Sequence, residues 1–203
     1  MGMAIMKNIL LLGDSIRQNY QEYVRNELQD VANVYYPNDN GRFCYFTLRY
    51  LHEWIRALSK NGEIEFDIIH FNCGLWDILR LSNEDRTFTS EEEYEELLVR
   101  IVNRIRFLCP NAKIIFALST EIIEPGFEQG TIIGERRNED IRKYNEIAKK
   151  VCEQIDVKVN DLWSISKELP QEAHSDMVHY ETDMGIKALG TQVVKYLKFA
   201  IKE

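Results

Sequence analysis

A chain of 203 residues with 45% hydrophobic and 29% charged side chains has the size and balance of one globular domain, residues 1–203, able to bury a core without metals or disulfides. No apolar run reaches the roughly eighteen residues needed to span a bilayer. A formal net charge of -8 counts against nucleic acid or a membrane surface as partner, since both are held through excess Lys and Arg, and favours a neutral or cationic small molecule.

The N-terminal apolar run is too short for the core of a signal peptide and lacks a small-residue cleavage site, so it reads as part of the fold, and a cytoplasmic protein is expected. Within it, Ile9 to Leu12 predicts a strand buried on both faces of a parallel sheet. After Gly13-Asp14-Ser15, the residues Tyr20, Tyr23, Val24 and Leu28 recur at helical spacing, and Val31 to Tyr36 predicts a second strand ended by Pro37. Phe46, Leu48, Leu51, Trp54, Ile55 and Leu58 mark a helix over 45–58, closed by Asn61-Gly62. Phe66 to Phe71 predicts the third strand. Ser90 and Glu93 form a capping-box pattern ahead of a helix whose Tyr94, Leu97, Leu98, Ile101, Ile105 and Leu108 share a face up to Cys109-Pro110.

Ala112 to Leu118 predicts the fourth strand. From Ser119 to Arg137 the chain carries Pro125, Gly126, Gly130 and Gly134 without periodicity and reads as a long loop of the kind that shapes binding sites. Ile141, Tyr144, Ile147, Ala148 and Val151 predict a helix, Val157 to Leu162 the fifth strand, and Ile186 to Ile201 a final helix with Leu189, Val193 and Leu197 inward. Cys44, Cys73, Cys109 and Cys152 contain no C-x-x-C pair and suggest neither a zinc ribbon nor a disulfide framework. This alternation argues for a three-layer, doubly wound α/β domain with a mainly parallel five-stranded sheet. Ligands of such sheets sit at the C-terminal strand edge. The turns Gly13-Asp14-Ser15 and Asn72-Cys73-Gly74 both follow strands at that edge.

Ser15 follows a buried strand and opens a helix, where free N–H groups and the helix dipole favour developing negative charge, as a nucleophile's site requires. Its alternative role is to cap the helix, with or in place of Asp14. A serine nucleophile needs a base, and the base needs an acceptor. Asp176-Met177-Val178-His179 offers both, in a segment of little core periodicity between the fifth strand and the last helix. Gly-Asp-Ser arises by chance in about one chain of twenty this size and D-x-x-H in about one of four, so it is their places in the fold that give them weight. His52 lies on a helix and His70 in a strand. His174 beside Asp176 and His179 leaves a metal-ligand cluster open as a rival reading. For the oxyanion of a tetrahedral intermediate the candidate donors are the Ser15 N–H, the Asn72 amide and the Gly41 N–H. A turn-closing role is the alternative for Asn72 and Gly41.

Together, Gly13-Asp14-Ser15-Ile16, the Gly41 turn, the segment Asn72 to Asp77 and Asp176-x-x-His179 resemble the SGNH/GDSL hydrolase family over nearly the whole chain. The resemblance implies a flavodoxin-like α/β/α sandwich and metal-free, cofactor-free ester hydrolysis. Ser15 would be the nucleophile, Asp176 and His179 its acid and base, with oxyanion donors on the second and third blocks. The third block departs from the common Gly-x-Asn-Asp: Gly74-Leu75-Trp76-Asp77 has tryptophan in the asparagine's place. Asn72-Cys73-Gly74-Leu75-Trp76-Asp77 resembles instead the N-x-G-x-[HW]-D variant of members allied to polysaccharide O-acyl esterases, as do Arg17, Tyr20 and Asn40-Gly41-Arg42. Asn72 is then expected to supply the missing donor. The resemblance implies a small acyl ester on a carbohydrate, with Asp14, Gly74, Trp76 and Tyr180 as further substrate contacts and the two aromatic rings as surfaces for a sugar. A thioesterase or lysophospholipase, or a silent carbohydrate-binding domain, are the alternatives.

Overall fold

The computed structural model describes residues 6–124 and 134–203. In chain order the strands are β1 (Lys7–Leu12), β2 (Ala32–Tyr35), β3 (Ile68–Phe71), β4 (Arg80–Leu81), β5 (Lys113–Ala117), β6 (Gly134–Glu135) and β7 (Lys158–Asn160). Five of them form one parallel sheet in the order β2-β1-β3-β5-β7, and the short β4 and β6 pair antiparallel outside it. The helices are α1 (Ser15–Leu28), α2 (Cys44–Leu58), α3 (Glu91–Leu108), α4 (Asn138–Gln154), α5 (Leu162–Ser166) and α6 (Asp183–Lys202). α6 packs on α1 and α5, while α3 packs on α2 and α4, so the sheet lies between two helical layers.

Ile9, Leu10, Leu11 and Leu12 are completely buried, as a strand covered by helices on both faces must be. On α1, Ile16, Tyr20, Val24 and Leu28 fall on one stripe and close against the sheet. Each such side chain contributes roughly 1.5–3 kcal/mol on burial. The caps are local: Asp14 accepts the Ile16 N–H at 3.0 Å, Ser90 and Glu93 complete their capping box at the start of α3, and Thr182 accepts the Gly185 N–H at 3.1 Å. α1 and α6 approach closely at Gly190, where an added Cβ would stand 2.4 Å from the Tyr23 ring; beside it Tyr23 and Thr191 share a hydroxyl contact of 3.0 Å. This contact matters for the site, because α1 begins at Ser15 and α6 begins just after His179.

The elements differ from the sequence reading mainly at their ends. The fifth strand stops at Asn160 rather than Leu162, because Asp161 accepts the Ser164 N–H at 2.9 Å and turns Leu162 into the first residue of α5. α6 starts at Asp183, ahead of Ile186, on the strength of the Thr182 cap. Val31 is 43% exposed and stays outside β2. The loop read over 119–137 gains β6 at its far end, while its Pro125, Gly126 and Gly130 lie outside the described residues.

Candidate active site

β1 and β3 are neighbours at the centre of the sheet, with Leu12 opposite Phe71, and the strand order reverses at this pair. Each strand's next residues therefore emerge side by side at the C-terminal edge, the place where doubly wound sheets open a crevice. The Asn72 N–H continues the ladder to the Leu12 carbonyl at 3.3 Å. The Asn72 amide then donates to Asp14 Oδ1 at 2.8 Å, crossing over Gly13. Gly13 has φ +146°, and a Cβ there would meet Asn72 Oδ1 at 1.9 Å, so only glycine lets the asparagine lie across this turn.

Ser15 stands at the first position of α1, and its backbone N–H has no acceptor among the described residues. Its Oγ lies 2.9 Å from His179 Nε2. The other ring nitrogen, Nδ1, lies 2.7 Å from Asp176 Oδ2. Asp176 Oδ1 also accepts the backbone N–H groups of Val178 and His179, each at 2.7 Å. The D-x-x-H spacing is thus a side-chain-closed turn in which one carboxylate both shapes the loop and holds the imidazole. Burial pushes the Asp176 carboxyl up, but the His179 ring and the two N–H groups outweigh it, and the group stays below the usual carboxylate range. The loop is tied to α1 where Asn19 Oδ1 accepts the Tyr180 N–H at 3.1 Å.

Other sequence candidates occupy different places. Gly41 is not a free donor: its N–H is bound to the Gly13 carbonyl at 2.8 Å, and a Cβ on it would come within 2.8 Å of that same carbonyl. It joins the second loop to the Gly13-Asp14-Ser15 turn. Asp14 is 1% exposed and engaged with Ile16 and Asn72, so it faces inward rather than toward a substrate; burial raises its pKa. Gly74 is buried, with room for no side chain between Ser119 Oγ and the Tyr94 hydroxyl. Tyr180 is fully buried, donates its hydroxyl to the Glu121 carbonyl at 2.8 Å and lies against His174, so it offers no surface to a sugar. Trp76 is half-buried, with the Arg136 guanidinium 5.8 Å from its ring centre. His52 is exposed on α2, and His70 is buried with Nε2 3.1 Å from Asn160 Nδ2. Among the described residues, no three His, Cys, Asp or Glu side chains gather as a metal-ligand group, and His174 does not join Asp176 and His179 in one.

Two supporting residues escaped the sequence reading as parts of a framework. Arg17, completely buried, donates to the carbonyls of Gly13 at 3.2 Å, Pro37 at 3.0 Å and Asp39 at 2.6 Å, and so clamps the second loop onto the first turn. Burial lowers its pKa to about 10, which leaves it charged at neutral pH. Asp77, also buried, accepts the Cys44 N–H and the Thr89 hydroxyl, the latter at 2.8 Å, and burial raises its pKa to about 6. The available signal was a charged residue two positions after Ser15 and another ending the third block, but most of their carbonyl and hydroxyl partners, at Pro37, Asp39 and Thr89, come from loops more distant in sequence.

No family model and no curated protein matches this chain. Its fold is that of GDSL-type acylhydrolases and acetylxylan esterases. A lipase/acylhydrolase from Enterococcus faecalis superposes with a TM-score of 0.72 at 19% identity, covering 96% of each chain. The acetylxylan esterase Axe2 from Geobacillus stearothermophilus gives 0.68 at 20% identity over 99% of this chain and 97% of its own. A member of the lipolytic G-D-S-L family from Veillonella parvula gives 0.64 at 18% identity over 95% and 98%.

Proposed function

We propose that this protein is a serine esterase that removes small acyl groups, acetyl above all, from a carbohydrate. The observation that carries the reading is the alignment of Ser15 Oγ, His179 and Asp176 through contacts of 2.9 and 2.7 Å. In that arrangement His179 Nε2 takes the Ser15 proton as Oγ attacks the ester carbonyl, then delivers it to the departing alcohol. Water, deprotonated by the same nitrogen, adds to the acyl-enzyme; collapse releases the acid and returns the proton to Ser15. Asp176 keeps Nδ1 protonated and stabilises the imidazolium. The oxyanion is received by the Ser15 N–H and by the Asn72 amide, which spends one of its two N–H bonds on Asp14. Trp76, half-buried, is the aromatic candidate left for the sugar. The acetyl-on-sugar preference draws on the third-block variant and on the acetylxylan esterase among the similar structures.

A fluorophosphonate probe followed by peptide mass spectrometry tests the mechanism. The expected result is a single adduct on Ser15 that disappears in His179→Ala. Labelling of another residue, or none in the folded wild type, would overturn it. A series of aryl esters of rising acyl length separates acetyl preference from a thioesterase or lysophospholipase, for which longer chains would be cleaved faster.

A further inference from the structure

Cys44 is the first residue of α2 and Cys73 directly follows Asn72, yet their sulfurs lie 3.2 Å apart in a fully buried S–H···S contact. Neither thiol touches the reacting groups, and neither is used by the mechanism above. The contact joins the second and third loops of the site, which are otherwise held together here by the Cys44 N–H donated to the Asp77 carboxylate at 3.1 Å. Cys73 is further fixed by its carbonyl, which accepts the Tyr94 hydroxyl at 3.1 Å.

We propose that Cys44 and Cys73 are a modification site, a reversible disulfide formed with hydrogen peroxide as oxidant, and that closing it slows the esterase; the rate effect rests on the esterase reading. In the first step the Cys73 sulfur attacks the peroxide O–O bond, giving Cys73 sulfenic acid and water. Cys44 sulfur then displaces the sulfenic oxygen as a second water. Two thiols are oxidised by two electrons, one peroxide is reduced, and both thiol hydrogens leave in the two waters.

The geometry explains why the rate should respond. Bond formation draws the sulfurs from 3.2 Å to about 2.05 Å, a movement of about 1 Å that α2 and the end of β3 must share. Asn72 is covalently next to Cys73 and holds Asp14 at the nucleophile turn, so the proposed oxyanion donor moves with it. A displacement of this size in a catalytic constellation costs up to about a hundredfold in rate. The other two thiols are not so placed: Cys109 is half-buried at the end of α3 and Cys152 lies on α4.

The test treats the intact wild-type chain with graded hydrogen peroxide and maps peptides by mass spectrometry under non-reducing conditions, with aryl acetate turnover measured in parallel. A Cys44–Cys73 cross-linked peptide, two hydrogens lighter than the sum of the reduced pair, is expected together with a tenfold or greater fall in turnover that dithiothreitol reverses. Cys44→Ala should retain turnover and lose only its reversible sensitivity. Oxidation confined to Cys109 while Cys44 and Cys73 stay reduced would overturn the site. A complete cross-link with unchanged turnover would overturn the switch. Because the cross-link is read by mass, it stands or falls separately from the esterase reading, which fails if reduced protein has no turnover and takes no phosphonate. Should Cys44→Ala fail to fold, the wild-type cross-link and its reversal still decide the matter.

Discussion

The amide of Asn72 donates to the carboxylate of Asp14 at 2.8 Å, across a glycine that could carry no side chain. This bond ties the end of β3 to the turn that presents Ser15, and it makes the third loop part of the support of the proposed nucleophile. Removing it should therefore be felt in catalysis more than in binding. Asn72→Ala is expected to lower kcat about 10²–10³-fold with KM changed little, the usual effect of losing one oxyanion donor. Steady-state kinetics on an aryl acetate checks this; a rise in KM alone would assign Asn72 to substrate binding.

Gly41 makes a different prediction from a free donor. Its N–H is already bound to Gly13, and a methyl group placed there would press on the Gly13 carbonyl at 2.8 Å. Gly41→Ala should keep the backbone N–H and still lose about a hundredfold in kcat, because the turn that carries Ser15 is pushed out of line. Unchanged kinetics would show that the turn relaxes without consequence.

Arg17 carries a buried charge that donates to three carbonyls of the two loops and to the Gln21 side chain. Arg17→Met deletes the clamp and leaves those carbonyls short of donors, which should lower stability by about 3–5 kcal/mol. Urea denaturation is the measurement. Arg17→Lys cannot span the three acceptors and should recover only part of the loss.

His70 gives a signed pH effect. Burial holds its pKa at about 3, below its ordinary value of 6.5, so the folded protein keeps the ring neutral where the unfolded chain would protonate it. This contribution is complete above pH 6.5 and is lost as pH falls from 6.5 toward 3, at up to about 1.4 kcal/mol per pH unit. Urea denaturation of His70→Leu between pH 7 and 4 should show a shallower decline than the wild type. Parallel declines would mean that His70 does not titrate on unfolding.

Tyr180 and Trp76 separate packing from substrate contact. Tyr180→Phe removes the hydroxyl that caps the Glu121 carbonyl and should cost about 1 kcal/mol of stability with kcat/KM on a sugar acetate unaltered. Trp76→Ala should raise KM for a sugar acetate more than for a small aryl acetate. Equal changes on both substrates would remove Trp76 from the sugar site.

Periodicity and turn chemistry were legible in the linear chain. The all-apolar run Ile9 to Leu12 demanded a central strand, the 3.6-residue stripes demanded helices, and Ser90 with Glu93 announced a helix start, because each is decided by neighbours within a few residues. Ser15 and the Asp176-x-x-His179 turn were visible for the same reason. Only the packed fold decided what these residues meet: the 2.9 Å contact of Ser15 with His179 depends on α1 and α6 closing at Gly190, and the inward turn of Asp14 and Tyr180 depends on partners at Asn72 and Glu121. The bound N–H of Gly41 and the Cys44–Cys73 contact were likewise invisible, since hydrogen-bond partners and sulfur distances are set by which strands lie side by side, a property of the sheet order that no local spacing records.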